Sequence, residues 1–430
     1  MSDAALHERL RQIIARSRGA DVPVSAPFRA PPLERAPEPP LDALLPGWWF
    51  ESGGARAFVT DHLTRRRARV GRAPLRPPPP AALALLGRDP ALADVAPERV
   101  AYLDAETTGL GSGTGVYVFL VGIGRFAPDG FHVRQVFLPA FEDEEALLDA
   151  VEHELAGVEA LVTYNGRAFD VPLLETRFVL GRRRTRLAAL PHADLLHATR
   201  ALCRHVLPSA RLIEAESGLL ELRREADLPG ALIPSVYFRY QRERRFRPLV
   251  PVFRHNRADI VGLAGLAAHL ARRLDDGGGA ATGLVAAGRW LERGGAVADA
   301  RARYRRAAED GHLEALRHAA RTAERAGDLD EALRSWQALA ADDSNRSVEP
   351  YERLALLHER RLRDPAAALA WTQRGLTLVE RFHARFAPAQ AAPIHERLER
   401  RRARLARRVE RGATVPRMPR TRASGRARSP

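Results

Sequence analysis

The spacing of apolar and polar positions divides the chain into regions of different period. Between about residues 98 and 272, β-rich runs alternate with helical ones. RVAYLD, GVYVFLVGIGRF and FHVRQVFLPAF are dense in Val, Phe, Leu and Ile and read as strands. The last two are joined by APDG, whose Asp-Gly pair is a turn signal. DEEALLDAVEHEL has helical spacing, EALVTY is a short strand, and AFDVPLLETRFVL and RADIVGLAGLAAHLARRL are helical again. A three-strand meander followed by helix, strand and helix predicts an α/β fold, a mixed sheet flanked by helices.

The flanks read differently. Residues 1 to about 20 predict a short amphipathic helix, and the Pro-rich residues 21–47 an extended or disordered linker. GWWFESGGARAFVTDHL, at 47–63, predicts a small β element, and a second proline block, PLRPPPPAA, follows at 74–82. DDGGGAATG, at 275–283, reads as a flexible break. Beyond it the chain is Ala-rich, helical and self-similar. ERGGAVADARARYRRA aligns with ERAGDLDEALRSWQAL at an offset of 32, matching Gly295 with Gly327, Ala300 with Ala332 and Tyr304 with Trp336. RLRDPAAALAWTQRGL is a weaker third unit, about 36 residues further on. Small residues followed one turn later by an aromatic resemble tetratricopeptide-type helix pairs, with a helical bundle seamed by alanine as the plainer alternative. The boundaries expected are an N-terminal region at 1–94, an α/β domain at 95–274, helical repeats at 283–412 and a basic disordered tail at 413–430.

Composition narrows the partners. No run approaches 18 uninterrupted apolar residues, and the first residues lack the basic-then-apolar pattern of a secretory signal. One cysteine, Cys203, leaves no intramolecular disulfide, which fits a reducing, cytoplasmic setting. The formal net charge is +15, which favours a polyanionic partner such as DNA or RNA. The bias is uneven. No lysine occurs, as GC-rich coding would also give, and residues 394–430 hold 13 Arg against 3 acids, so +10 of the +15 lies there. Charge alone therefore does not decide for nucleic acid.

Three separated segments carry the candidate chemistry. In AYLDAETTGLGSG, Asp104 and Glu106 are two apart, which on a strand puts both carboxylates on one face. They repel each other unless a cation lies between them, and hard oxygen donors suit Mg²⁺ or Mn²⁺. The small residues that follow would let a substrate backbone approach. A solvated strand end is the plainer alternative. In LVTYNGRAFDVPLL, Asp170 opens a helix after an Asn165-Gly166 turn, where the helix dipole would also favour an acid. In FRHNRADIVGL, His255 and Asp259 share a helix face at i and i+4, as a surface pair or as a base beside a metal-binding acid.

Asp104, Glu106, Asp170 and Asp259, with His255 before the last, resemble the DEDD (DnaQ-like) 3′→5′ exonucleases of the RNase H-like superfamily. YLDAETTGL, VFLVGIGRF, TYNGRAFDVPLLETRF, HADLLHATR, ADLPGALIPSVYFRY and VFRHNRADIVGL more closely resemble the YprB-like branch over about residues 95–272. The resemblance implies an RNase H-like mixed sheet and phosphodiester hydrolysis with two ions. Asp104 would bridge them, Glu106 and Asp259 would hold the ion on the water side, and Asp170 the ion on the leaving side. His255 would orient or deprotonate the water. The histidine type of this superfamily usually places His five before the last Asp and the tyrosine type places Tyr four before. His255 therefore combines one residue type with the other spacing, a rotation of about 100° on a helix.

Thr107, Gly109, Leu110, Asn165 and Asn256 are the expected substrate contacts, Asn165 equally a turn former. Phe169 reads as core rather than a stacking platform, and Asp194 in HADLLH as a helix cap. His192 and His197 beside it lack a fourth partner for zinc. YFRYQRERRFRPL reads either as a nucleic-acid surface or as an amphipathic helix with a basic face. The reading reached is a nuclease on single-stranded DNA or RNA, whose repeats extend the substrate path or recruit a protein. Its alternatives are a structure-specific endonuclease with the same site, or a protein-binding scaffold with a vestigial nuclease fold.

Overall fold

The computed structural model describes residues 38–413, apart from 66, 110–112, 226, 384, 386 and 387. The expectations for residues 1–37, for Leu110 and for the tail beyond 413 lie outside the described residues. Gly47–Ser52 (β1), Ala55–Arg65 (β2), Val100–Thr107 (β3), Val118–Ala127 (β4), Gly130–Phe137 (β5), Ala160–Thr163 (β6) and His192–Asp194 (β7) form one sheet. Its order is β1-β2-β5-β4-β3-β6-β7, and only the β3–β6 and β6–β7 pairs are parallel. The β element expected as a separate N-terminal piece is the outer hairpin of this sheet. Phe58 to Arg65 of β2 pair in register with β5, and Ala57, Phe58 and Val59 are buried.

The meander, helix, strand and helix read from the spacing all form. The helices are Pro80–Gly87 (α1), Glu144–Glu154 (α2), Asp170–Leu180 (α3), Leu195–Cys203 (α4), Ile233–Glu243 (α5) and Val250–Asp276 (α6). One buried cluster gathers Leu103, Phe119 and Phe137 with Leu147, Leu174, Tyr237 and Phe253. A second gathers Tyr102, Phe131 and Val133 with Ile260, Leu263 and Leu270 of α6. The helix YFRYQRERR is therefore partly core, because Tyr237 and Tyr240 are buried and donate to the carbonyls of Leu138 and Pro139.

Strand β3 is buried from Val100 to Leu103 and partly exposed from Asp104 to Thr107, so it leaves the core where its acids begin. Helix α6 lies close over that point because Gly122, the β4 partner of Asp104, has no side chain. A Cβ there would stand 2.4 Å from Asn256 Oδ1.

The break expected at 275–283 is an ordered turn. Gly277, Gly278 and Gly279 have φ of 67°, 70° and 80°, where Cβ-bearing residues are strained, and the Gly277 amide donates to the Arg273 carbonyl. Helices Ala281–Arg293 (α7), Val297–Glu309 (α8), Leu313–Ala326 (α9), Leu329–Ala341 (α10), Glu349–Arg360 (α11), Pro365–Leu378 (α12) and Pro388–Ala413 (α13) follow. The 32-residue alignment has structural counterparts: Ala300, Ala332, Tyr304 and Trp336 are all fully buried, and Gly295 and Gly327 both take left-handed backbone. The α/β core does not end at the turn. Leu284, Trp290, Tyr304 and Ala315 belong to the same buried cluster as Tyr102 and Ile260, and Trp290 Nε1 donates to the Leu85 carbonyl at 2.8 Å. Among the described residues no helix is long and apolar enough to cross a membrane.

Candidate active site

The three acidic segments converge at the C-terminal end of β3. Asp104 and Glu106 project from one strand face, and a bulge follows between Glu106 and Thr107. Asp170 arrives through a turn that Asp194 organises. The Asp194 carboxylate caps α4 by accepting from the Leu196 amide at 3.1 Å, and it also accepts from the amides of Asn165 at 2.8 Å and Arg167 at 3.2 Å. Asn165 takes left-handed backbone there, φ 68°, so the turn is one established role for it. The expectation that Asp194 is a cap holds, and the cap also ties β7 to the residues leading into Asp170.

The electrostatics record the crowding. Burial, then repulsion from Asp259, Asp170 and Glu106, holds the Asp104 carboxyl well above the usual carboxylate range. Burial and the charges of Asp259, Asp170 and Asp227 raise Glu106 to about 8. Burial raises Asp170 to about 7, against stabilising amides at its own position and at Ala105 of β3. Ligand atoms of Glu106, His255 and Asp259 lie within 4.8 Å of one another, near enough to share an ion. Oxygen donors that resist being charged together fit a divalent cation, which neutralises them.

His255 reaches this cluster despite its spacing. Its Nδ1 donates to Asp227 at 2.9 Å, and its Nε2 lies 3.4 Å from Asp259 Oδ2. Asn256 plays a different part from the substrate contact expected of it. Its side chain is fully buried, donates to Asp104 Oδ2 at 2.9 Å and accepts from Gln135 at 2.9 Å, while Gln135 accepts from Thr60 at 3.2 Å. This buried chain runs from β2 through β5 and α6 to the β3 acid, so the outer hairpin helps to position Asp104. Thr107 turns inward to donate to the Gly109 carbonyl at 2.7 Å. Phe169 corrects another expectation. It is 56% exposed, because the buried stripe of α3 starts at Val171 and continues through Leu174 and Phe178. His192 is a core histidine bonded to Thr163 at 2.8 Å and held down at about 4 by burial.

A family match covers this part of the chain. Residues 101–271 match RNase_H_2, a family of the RNase_H superfamily. Residues 101–271 form an RNase H-like domain. The chain is 38% identical over 174 residues to the uncharacterized protein YprB of Bacillus subtilis (strain 168), covering 40% of this chain and 42% of that one. It therefore spans less than half the length of that relative. The family B DNA polymerase of the hyperthermophilic archaeon Pyrobaculum calidifontis is similar at 16% identity and a TM-score of 0.32, over 48% of this chain and 28% of that chain.

Three residues of the RNase H-like domain escaped the sequence reading. Glu216 is fully buried and binds Arg224 through both oxygens, at 2.6 and 2.7 Å. Arg224 also pairs with Asp259 and, at 3.2 Å, with Asp227, which holds His255. Burial raises Glu216 to about 7, although Arg224 opposes the shift. Arg224 thus supplies a fixed positive charge against the acid cluster. In sequence, ELRREADLPG offers only alternating charges, which a solvated loop would also show.

Proposed function

We propose that the RNase H-like domain is a nuclease that hydrolyses phosphodiester bonds with Mg²⁺ or Mn²⁺, acting as a 3′→5′ exonuclease on single-stranded DNA or RNA. The observation that carries this reading is the meeting of Asp104, Glu106, Asp170 and Asp259 from three segments, with His255 Nε2 facing Asp259. Two divalent ions held by these four carboxylates would supply charge stabilisation at the attacking and leaving oxygens. The protein's own groups would do the rest. Asn256 fixes the Asp104 carboxylate, and Arg224 leaves one oxygen of Asp259 turned towards His255. Asp227 holds the Nδ1 proton of His255, which leaves Nε2 to take a proton from water.

The loop around Thr107 and Gly109, with Asn165, would border the terminal nucleotide. Exposed Phe169, next to Asp170, would stack on its base. Phe169→Ala is expected to raise KM for single strands about tenfold, the scale of one lost stacking contact of about 1–3 kcal/mol, with little change in kcat. Steady-state kinetics on end-labelled strands check this, and an unchanged KM removes Phe169 from the substrate path. The helical hairpins, read as tetratricopeptide-like repeats, would lengthen the substrate path or take a protein partner, and the arginine-rich end would add salt-sensitive attraction to phosphates.

The deciding assay offers purified protein, with Mg²⁺ or Mn²⁺, linear and closed circular DNA and RNA. Metal-dependent shortening of linear strands from the 3′ end, with circles left intact, is the expected result. Cutting of circles would turn the reading to an endonuclease using the same carboxylates. No hydrolysis of any of these substrates would overturn it.

A further inference from the structure

A second feature lies where the α/β domain meets the helical hairpins. The end of α1, the length of α4 with its following loop to Ala210, α7 and part of α9 enclose an open cleft of about 1220 Å³. That exceeds the roughly 300–1,000 Å³ of a small-molecule pocket. Its walls carry five arginines, Arg88, Arg200, Arg204, Arg289 and Arg293, against two glutamates. Both glutamates are already engaged, Glu314 with Arg289 and Glu292 with Arg325 and Tyr304.

Arg200 and Arg204 are exposed, and neither they nor Arg88 and Arg293 form an ion pair within the described residues. Arg88 lies 3.6 Å over the Trp290 ring, and burial, then repulsion from Arg293, lowers its pKa. Like charges are thus held together without counter-charges. An adjacent hollow over α9, of about 620 Å³, is different: Arg321, Arg325 and Arg353 are matched there by Glu349, Glu292 and Glu324. The imbalance is therefore a property of the cleft and not of the helical region at large.

The cleft is also joined to the acid cluster. Helix α4 is capped by Asp194, which holds the turn leading into Asp170, and Arg200 in the helix and Arg204 at its C-terminal cap stand about 9 and 15 Å further along at helical rise. Tyr164, at the start of that turn, donates to the Ala210 carbonyl in the cleft wall at 2.8 Å.

We infer that the cleft binds the phosphate backbone of a single nucleic-acid strand whose end lies at the acids, so that the first helical hairpins form the far bank of an extended substrate track. The class of ligand rests on the nuclease reading above; the unmatched arginines and their link to Asp170 do not.

The test uses the full chain carrying Asp104→Asn, which removes cleavage, and measures binding of a long labelled single strand by fluorescence anisotropy across a salt series. Arg200→Glu with Arg204→Glu changes one wall, and Arg293→Glu the other; all three side chains are exposed, so the fold is spared. The affinity is expected to fall about tenfold or more, and the slope of log K against log salt to lessen by about 0.7 for each arginine lost. Unchanged affinity and slope in both variants overturn the inference. So does tighter retention of a poly-glutamate chain than of the strand, which would assign the cleft to an acidic protein. If the parent cuts nothing but binding still depends on these arginines, the cleft stands and the nuclease reading fails. If cutting depends on Asp104 while the arginine variants bind as the parent does, the reverse holds.

Discussion

Asp104→Asn is expected to lower metal-dependent hydrolysis by about 10³-fold or more, since a metal donor and its negative charge are lost from the centre of the acid cluster. The fold should survive, because an asparagine oxygen still accepts from Asn256. The same substitution should stabilise the metal-free protein at high pH. Glu106 and Asp170 titrate in the fold at about 8 and about 7, and Asp104 is raised as well. A carboxyl with a folded pKa above its unfolded value favours the fold while protonated, and that contribution disappears as pH rises through the folded value. In chelator the parent should therefore lose stability from about pH 4, where the unfolded carboxyls ionise, up to about pH 8, and the variant, with one repelling charge fewer, should lose less. A gain of a few °C in Tm over the parent at about pH 9 is the expected scale. Saturating Mg²⁺ or Mn²⁺ should reverse the order, because only the parent has the full binding site. Melts with and without metal, run beside the hydrolysis assay, check both halves. A variant that cuts as fast as the parent would remove Asp104 from the mechanism.

Arg224→Leu is expected to cost about 3–5 kcal/mol of stability, as when one member of a buried ion pair is removed. The cause is Glu216, which is fully buried and takes both its ionic contacts from Arg224. Adding Glu216→Met should recover most of that stability, because an apolar pair can replace a buried ionic one. Hydrolysis should not return with it, since Asp259 and Asp227 remain without their arginine. Urea denaturation of the single and double variants gives the two free energies. A single variant within about 0.5 kcal/mol of the parent would mean the ion pair is dispensable to the fold.

Local spacing made shared faces legible for Asp104 with Glu106 at i and i+2 and for His255 with Asp259 at i and i+4, and the order of strands and helices follows from period. Asp170 joined them only through the family resemblance, since its approach depends on β6 lying parallel beside β3. Arg224, Glu216 and Asp227 were not legible because their meaning depends on a long-range approach between the loop after α4 and helix α6. Asn256 was visible but misread, since its burial depends on the side-chain-free Gly122 on another strand. Phe169 was misread for the opposite reason: an aromatic beside a helix start suggests core, but the turn at Asn165 sets the buried stripe to begin two residues later. Proline- and glycine-rich stretches read as boundaries in sequence, yet GWWF pairs into the main sheet and the Gly277–Gly279 stretch is a compact corner.

That corner has a practical consequence. With Trp290 anchored on Leu85 and Tyr304 packed into the same apolar mass as Tyr102, the acid-bearing half and the first helical layers share one interior. Scissors applied at residue 284 would not release a smaller stable domain; they would strip its wall and leave a sticky, half-melted remnant. In a calorimeter the sheet and the opening helices should give way in a single endotherm, and truncations meant to isolate the chemistry must begin well downstream of the glycines.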